Sequence, residues 1–265
     1  MIDQLPSQNI PEWEVELVIT GPISLPRTRS LVLHVEKGER NPFTTTIKLS
    51  KAPHGILCVL IARAFDHENA NNAAVYFVGQ ALDVLCLKVD LPLYINLYRS
   101  EVRFASDSVR RVINESEWTN AFTLGREYSL NRGYFSRAIS WYRKGLGSED
   151  PIDRVIAFWS ALEGISSQYY RPNDRTEQGI INQICDCFDQ LWGTTENWRV
   201  IPNEPDVINH FYNFRNGFSH GFMRVDIETI KKVVGKLPVY QKLVREFLLE
   251  WESKGRVIER ERAAS

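Results

Sequence analysis

The hydrophobic period changes along the chain, and that change limits the architectures open to it. Ahead of Phe65 the apolar residues come in short runs. Trp13 to Gly21 and Ser30 to Glu36 are rich in Val, Leu and Ile, and turn signals follow each, Gly21-Pro22 and then Gly38 to Pro42. Such runs read as strands. Phe43 to Leu49 reads as a third, Thr-rich strand and Gly55 to Phe65 as a fourth, with Lys37 to Pro42 a hairpin loop. From His67 to Leu87 the period becomes helical. Ala70, Ala73, Ala74, Phe77, Val78, Ala81, Leu82 and Leu85 form one stripe that can lie across a sheet. Leu93 to Tyr98 and Val102 to Ala105 return to β-forming residues, so the first part of the chain is α+β.

Between Ser106 and Tyr128 periodicity fades and Asn, Glu, Ser and Thr gather, which sets the expected boundary: an α+β domain over 1–125 and a helical one over 126–265. Helices are expected at Tyr134 to Lys144, Pro151 to Tyr170, Gln178 to Leu191, Pro205 to Ser219 and Asp226 to Trp251. Asp150 is the N-cap of the second, with Pro151 at its first position. Val155, Phe158, Trp159, Leu162 and Ile165 make its buried stripe. Gly235 or Pro238 is expected to kink or divide the last helix, and the charged run Glu252 to Ser265 to fray. Short connections between amphipathic helices make an antiparallel bundle the default arrangement.

With 32 Lys+Arg against 33 Asp+Glu, the net charge is −1. No global field draws such a chain to nucleic acid, so any contact of that kind rests on a local patch. Cys58, Cys86, Cys185 and Cys187 lack the spacing of a secreted disulfide framework, and reduced thiols are expected. In Cys185-Asp186-Cys187 one thiol is read as buried and the other as half-exposed, without a metal. Met1 to Pro11 has no basic start followed by an apolar run, so no signal peptide is expected. The longest apolar run is read as Ile56 to Phe65, short of the roughly 20 residues a membrane helix needs. The expectation is a cytoplasmic protein without a membrane span.

The chemistry concentrates in Phe211-Tyr212-Asn213-Phe214-Arg215-Asn216-Gly217-Phe218-Ser219-His220-Gly221. Val207, Ile208, Phe211, Phe214 and Phe218 recur at helical spacing and define one apolar face. Gly221 suits the left-handed position that closes a helix, which leaves His220 at the C-terminal end. An ideal helix turns about 140° and rises about 7.5 Å over five residues, so Arg215 and His220 of one chain need not meet. A second copy, or a helix broken between Gly217 and Gly221, would bring them together.

Arg215, the amide Asn216 and His220 near the end of a late helix resemble the signature of the HEPN superfamily. Phe158-Trp159-Ser160-Ala161-Leu162-Glu163-Gly164-Ile165 is similar to the second helix of its Apea-like members. The resemblance covers roughly residues 130 to 250. It implies a HEPN-like antiparallel helical bundle, acting as a homodimer with two motifs facing each other, and a metal-independent endoribonuclease that needs no cofactor. It implies His220 as the proton-transfer group, Arg215 as the phosphate clamp and Asn216 as the residue orienting them, with Glu163 and Ser219 in support. A His near neutral pKa and a forked guanidinium suit cleavage of RNA by its own 2′-hydroxyl. It also implies a setting in defence or toxin-like regulation. The N-terminal domain would then be a sensor or a protein-partner element.

Arg132, Arg137, Arg143 and Lys144 are the candidate RNA contacts. The same residues also allow a bland reading, in which Arg215 pairs with Glu163 as structural glue and the bundle is a noncatalytic scaffold or a ligand-binding module. His34, His54, His67 and His210 lack ligand spacing and read as ordinary surface or packing residues.

Overall fold

The computed structural model describes residues 10–26, 30–34, 43–52, 55–96, 111–194, 198 and 206–264. The chain divides into two compact units. One comprises Met1–Leu85 with Leu93–Arg126, and the other Cys86–Pro92 with Glu127–Ser265.

In the first unit β1 (Glu12–Thr20), β3 (Ser30–His34), β4 (Phe43–Ala52), β5 (Gly55–Arg63) and β6 (Tyr94–Asn96) form one antiparallel sheet in the order β3-β4-β5-β1-β6. Alternation writes the buried face: Val15, Leu17 and Ile19 on β1, and Ile56, Cys58, Leu60 and Ala62 on β5. Two short strands, β2 (Ile23–Ser24) and β7 (Arg111–Val112), pair in parallel apart from that sheet. The Val102 to Ala105 strand and the Lys37 to Pro42 hairpin lie outside the described residues.

The helix α1 runs from His67 to Val89. By length and composition it could cross a membrane, its most apolar 18-residue window having a mean hydropathy of 1.3, although 67% of that window is buried within the protein. The expectation that the longest apolar stretch is Ile56 to Phe65 is corrected here. Gln80 and Asp83 interrupt that window in sequence without lowering its mean out of a membrane helix's range.

A second correction concerns the stretch read as aperiodic. From Glu115 onward it folds as α2 (Glu115–Asn131), burying Trp118, Ala121, Phe122 and Tyr128 at helical spacing. A capping box starts it: Glu117 N–H donates to Asn114 Oδ1, and Asn114 N–H donates to Glu117 Oε2, each at 3.0 Å. Phe77 stacks on Phe122 at 5.4 Å. At Gly125 any Cβ would lie 2.7 Å from the Gln80 backbone, so α1 and α2 touch main chain to main chain there.

The second unit is helical: α3 (Gly133–Gly147), α4 (Pro151–Tyr169), a short 3-10 turn (Thr176–Gln178), α5 (Ile180–Trp192), α6 (Val207–Ser219) and α7 (Ile227–Ala264). The central helix is α4, which packs against α3, α5, α6 and α7. Asp150 caps it, accepting from the N–H of Ile152 at 2.7 Å, and Val155, Phe158, Trp159, Leu162 and Ile165 are fully buried.

The tail expected to fray is helix instead. Glu259, in the last turns of α7, accepts from Arg132 Nε at 2.7 Å, from its Nη2 at 2.8 Å, and from Trp251 Nε1 at 2.8 Å. Pro238 lies inside α7 without ending it.

Candidate functional site

The helix α6 presents Val207, Ile208 and Phe211 to the core and lays Phe211 flat on Tyr240 of α7, ring centroids 4.0 Å apart. Phe214 and Phe218, one turn apart, are half-buried and stack on each other at 6.0 Å. The helix ends at Ser219. His220 donates its N–H to Asn216 O at 3.1 Å, Gly221 takes φ +68°, and Met223 N–H reaches back to Gly217 O at 3.0 Å. The left-handed turn required of Gly221 is present, and it turns the chain away at the point where His220 stands.

Arg215 points to α4. Its Nη2 donates to Glu163 Oε2 at 3.3 Å, and the same oxygen accepts from Trp159 Nε1 at 2.9 Å. Trp159 packs edge-on against Phe211 at 5.3 Å and also touches Tyr212. The guanidinium is thus held by a carboxylate that a buried indole orients in turn. Arg215 and Glu163 side chains remain 27% and 34% exposed, so a ligand can still reach them.

His220 and Ser219 are exposed, and the imidazole stacks on the Phe222 ring at 5.7 Å. Asn216 is half-buried, with its carbonyl taken by His220. Among the described residues no hydrogen bond joins Arg215 to His220. Beyond the motif Phe222, Val225, Ile227 and Val234 are all at least half exposed, with Phe222 at 83%, apolar side chains interspersed with charged ones over the α6–α7 turn and the first turns of α7.

The four candidate RNA contacts separate. Arg132 is 5% exposed and commits four of its five N–H donors to Glu259 and to the carbonyls of Trp251 and Glu252, so its guanidinium is buried away from any phosphate. Its placement corrects the sequence reading. Arg137 and Lys144 are exposed and flank the half-buried Trp141, with Lys144 Nζ 4.2 Å from that ring and the Arg137 guanidinium at 6.0 Å. That is a cationic, stackable face. Arg143 is half-buried on the same helix.

Cys187 is buried and Cys185 half-buried, and burial pushes both thiols up, Cys187 to about 12. Asp186 between them is paired with Arg171 at 2.7 Å.

Cavities open in the helical unit among the described residues, and two of them bear on the site. One, of about 430 Å³, includes Asp90, Arg154, Pro238, Gln241 and Arg245 in its wall. Asp90 accepts from Tyr142 Oη at 2.5 Å and from Gln241 Nε2 at 3.0 Å, and Arg154 Nη2 donates to Gln241 Oε1 at 3.2 Å while its buried Nε has no partner among the described residues. The other, of about 410 Å³, lies between α6 and α7 and is lined by His210, Phe214, Lys231, Lys232, Gly235 and Lys236. Sequence reading passed over these lysines. Their spacing at 231, 232 and 236 was the available signal, and only the packing of α7 beside α6 makes it a groove.

No protein-family model, curated protein or solved structure matches the chain.

Proposed function

We propose that the helical unit is a HEPN-like domain and that the chain is a metal-independent endoribonuclease working as a homodimer. The observation that carries this reading is the division of labour at the end of α6. Arg215 is anchored by Glu163 yet reachable, His220 is exposed, and the two are not bonded to each other within a chain.

The chemistry follows from those positions. The RNA 2′-oxygen attacks the adjacent phosphorus as His220 takes its proton. Arg215 compensates the charge that builds on the phosphoryl oxygens, and the 5′-oxygen departs with a proton delivered by the second His220 of the dimer. The products are a 2′,3′-cyclic phosphate and a 5′-hydroxyl, with no water or metal consumed. Asn216 orients the pair, and Ser219 lies beside His220. The exposed apolar side chains Phe222, Val225, Ile227 and Val234 support the dimer, because large apolar groups left to water beside a functional group suit an interaction surface. In this reading the protein is cytoplasmic, Arg137, Arg143 and Lys144 contact RNA, and the sheet unit binds a protein partner or senses a trigger in a defence or toxin-like setting.

One observation favours a second reading. The Arg215–Glu163–Trp159 chain is complete inside one protomer, as structural glue would be, which suits a noncatalytic scaffold. Incubation of RNA with the purified protein in EDTA, beside His220→Ala checked for oligomeric state and Tm, separates the two. Cleavage that disappears in the variant supports the ribonuclease. Failure of both to cut, with the variant melting several degrees lower, supports the scaffold.

A further inference from the structure

We propose that the groove between α6 and the start of α7 is a binding track for single-stranded RNA leading to the end of α6, a subsite that rests on the ribonuclease reading. Its volume of about 410 Å³ is ringed by Lys231, Lys232 and Lys236 from α7 and by His210 and Phe214 from α6, with no carboxylate in the lining. In a chain of net charge −1, this is the local cationic concentration that nucleic-acid binding requires.

The arrangement comes from two helical periods. His210 and Phe214 are one turn apart on α6, while Lys231 and Lys232 lie one turn before Gly235 and Lys236 on α7, so each helix gives one wall. Gly235 leaves its part of the wall open, since a Cβ there would meet nothing within 4 Å. Phe214 is stacked on Phe218 and exposes part of that aromatic surface, on which a base can stack. Lys231 pairs with Glu228 at 3.5 Å, but both side chains are about 70% exposed, and such a pair is readily exchanged for a phosphate. Phe218, stacked on Phe214 one turn further along α6, continues that face toward His220 at the helix end, while Arg215 stands on the side facing α4.

Lysine heads over an aromatic floor favour a flexible polyanion with bases rather than an acidic peptide. Nothing in this lining distinguishes ribose from deoxyribose. The track therefore holds single-stranded DNA about as well as RNA, and the 2′-hydroxyl is needed only for the chemistry at His220.

The test uses the full chain carrying His220→Ala, so that RNA survives, and a fluorescein-labelled uridine 12-mer read by anisotropy across a salt series. Each lysine that contacts a phosphate contributes roughly 0.7 to the slope of log affinity against log salt for a single strand. Lys231→Gln with Lys232→Gln, both exposed and safe for folding, is expected to lower that slope by about 1.4, and adding Lys236→Gln by about 2.1. Affinity at low salt is expected to fall at least tenfold. An unchanged slope and affinity in both variants, an absence of binding by the parent, or displacement by polyglutamate as effective as by unlabelled oligonucleotide each overturns the track. Cleavage is scored separately on chains that retain His220. Lysine-dependent binding without cleavage keeps the track and sinks the ribonuclease, whereas cleavage with an unaltered KM in the lysine variants does the reverse.

Discussion

Glu163 of α4 meets Arg215 of α6 at 3.3 Å through the oxygen that also accepts the Trp159 indole N–H. The carboxylate is therefore a positioning group, fixed by one neighbour and fixing another. Glu163→Gln keeps an acceptor for Trp159 but removes the charge that attracts Arg215. Both members are more than a quarter exposed, so the ion pair itself contributes about 0–1 kcal/mol to folding, and Tm is expected to fall by no more than about 3 °C. Displacing a guanidinium from a reacting phosphate costs far more in rate, and kcat for RNA cleavage is expected to drop by roughly tenfold to a hundredfold with KM little changed. Single-turnover rates beside thermal melts decide it. A rate loss no larger than the unfolded fraction explains would make Glu163 structural only.

The Arg132–Glu259 pair behaves differently because it is buried, with side chains 4% and 11% exposed. Removing one partner strands the other charge away from water. Glu259→Gln or Arg132→Met is expected to cost about 3–5 kcal/mol in urea unfolding, and the double variant less than the sum of the two. A chain ending at Ser253 loses Glu259 altogether and should be destabilised at least as much. Wild-type stability in that truncated chain would mean that the last turns of α7 contribute nothing.

What could be read from the sequence was local. Asp150 and Pro151 announced the start of α4, and the stripe Val155, Phe158, Trp159, Leu162 and Ile165 is buried as its spacing required. Gly221 took the left-handed turn because no other feature competes with a glycine at a helix end. The misses were long-range or masked by polarity. Arg132 and Glu259 are 127 residues apart, so the tail looked merely charged until its partner was in place. In α2 the buried stripe is diluted by Asn, Thr and Glu, and its capping residues look like loop composition. The lysine groove has no local signal beyond spacing, since His210 and Phe214 of its wall belong to another helix.

The glycines offer a paired test of packing. At Gly164 an added Cβ meets nothing within 4 Å, and the residue is in the middle of α4, so Gly164→Ala is expected to stabilise by roughly 0.5–1 kcal/mol through lost unfolded-state freedom. At Gly125 the same methyl would lie 2.7 Å from the Gln80 backbone, which cannot rotate aside as a side chain does. Gly125→Ala is expected to cost about 1–3 kcal/mol or more. Equal effects of the two substitutions on chemical denaturation would contradict the close approach of α1 and α2.

Asp189 gives a pH test with a definite sign. Burial pushes its carboxyl above the usual range, only partly opposed by Arg175, 3.5 Å away, and its Oδ1 has no hydrogen-bond partner among the described residues. A raised pKa means that the folded state binds this proton more tightly than the unfolded chain does. Stability from this group is therefore present at low pH and is lost as pH rises through the raised value, leaving a constant cost near neutrality. Asp189→Asn removes the charge whose burial is costly. The variant is expected to melt above the wild type at pH 7, and the gap should narrow toward pH 4 as the wild-type carboxyl takes up its proton. Melts of both proteins across that interval give the answer. A variant less stable than wild type at pH 7, or a gap that does not change with pH, would mean that the Arg175 pair outweighs the burial cost.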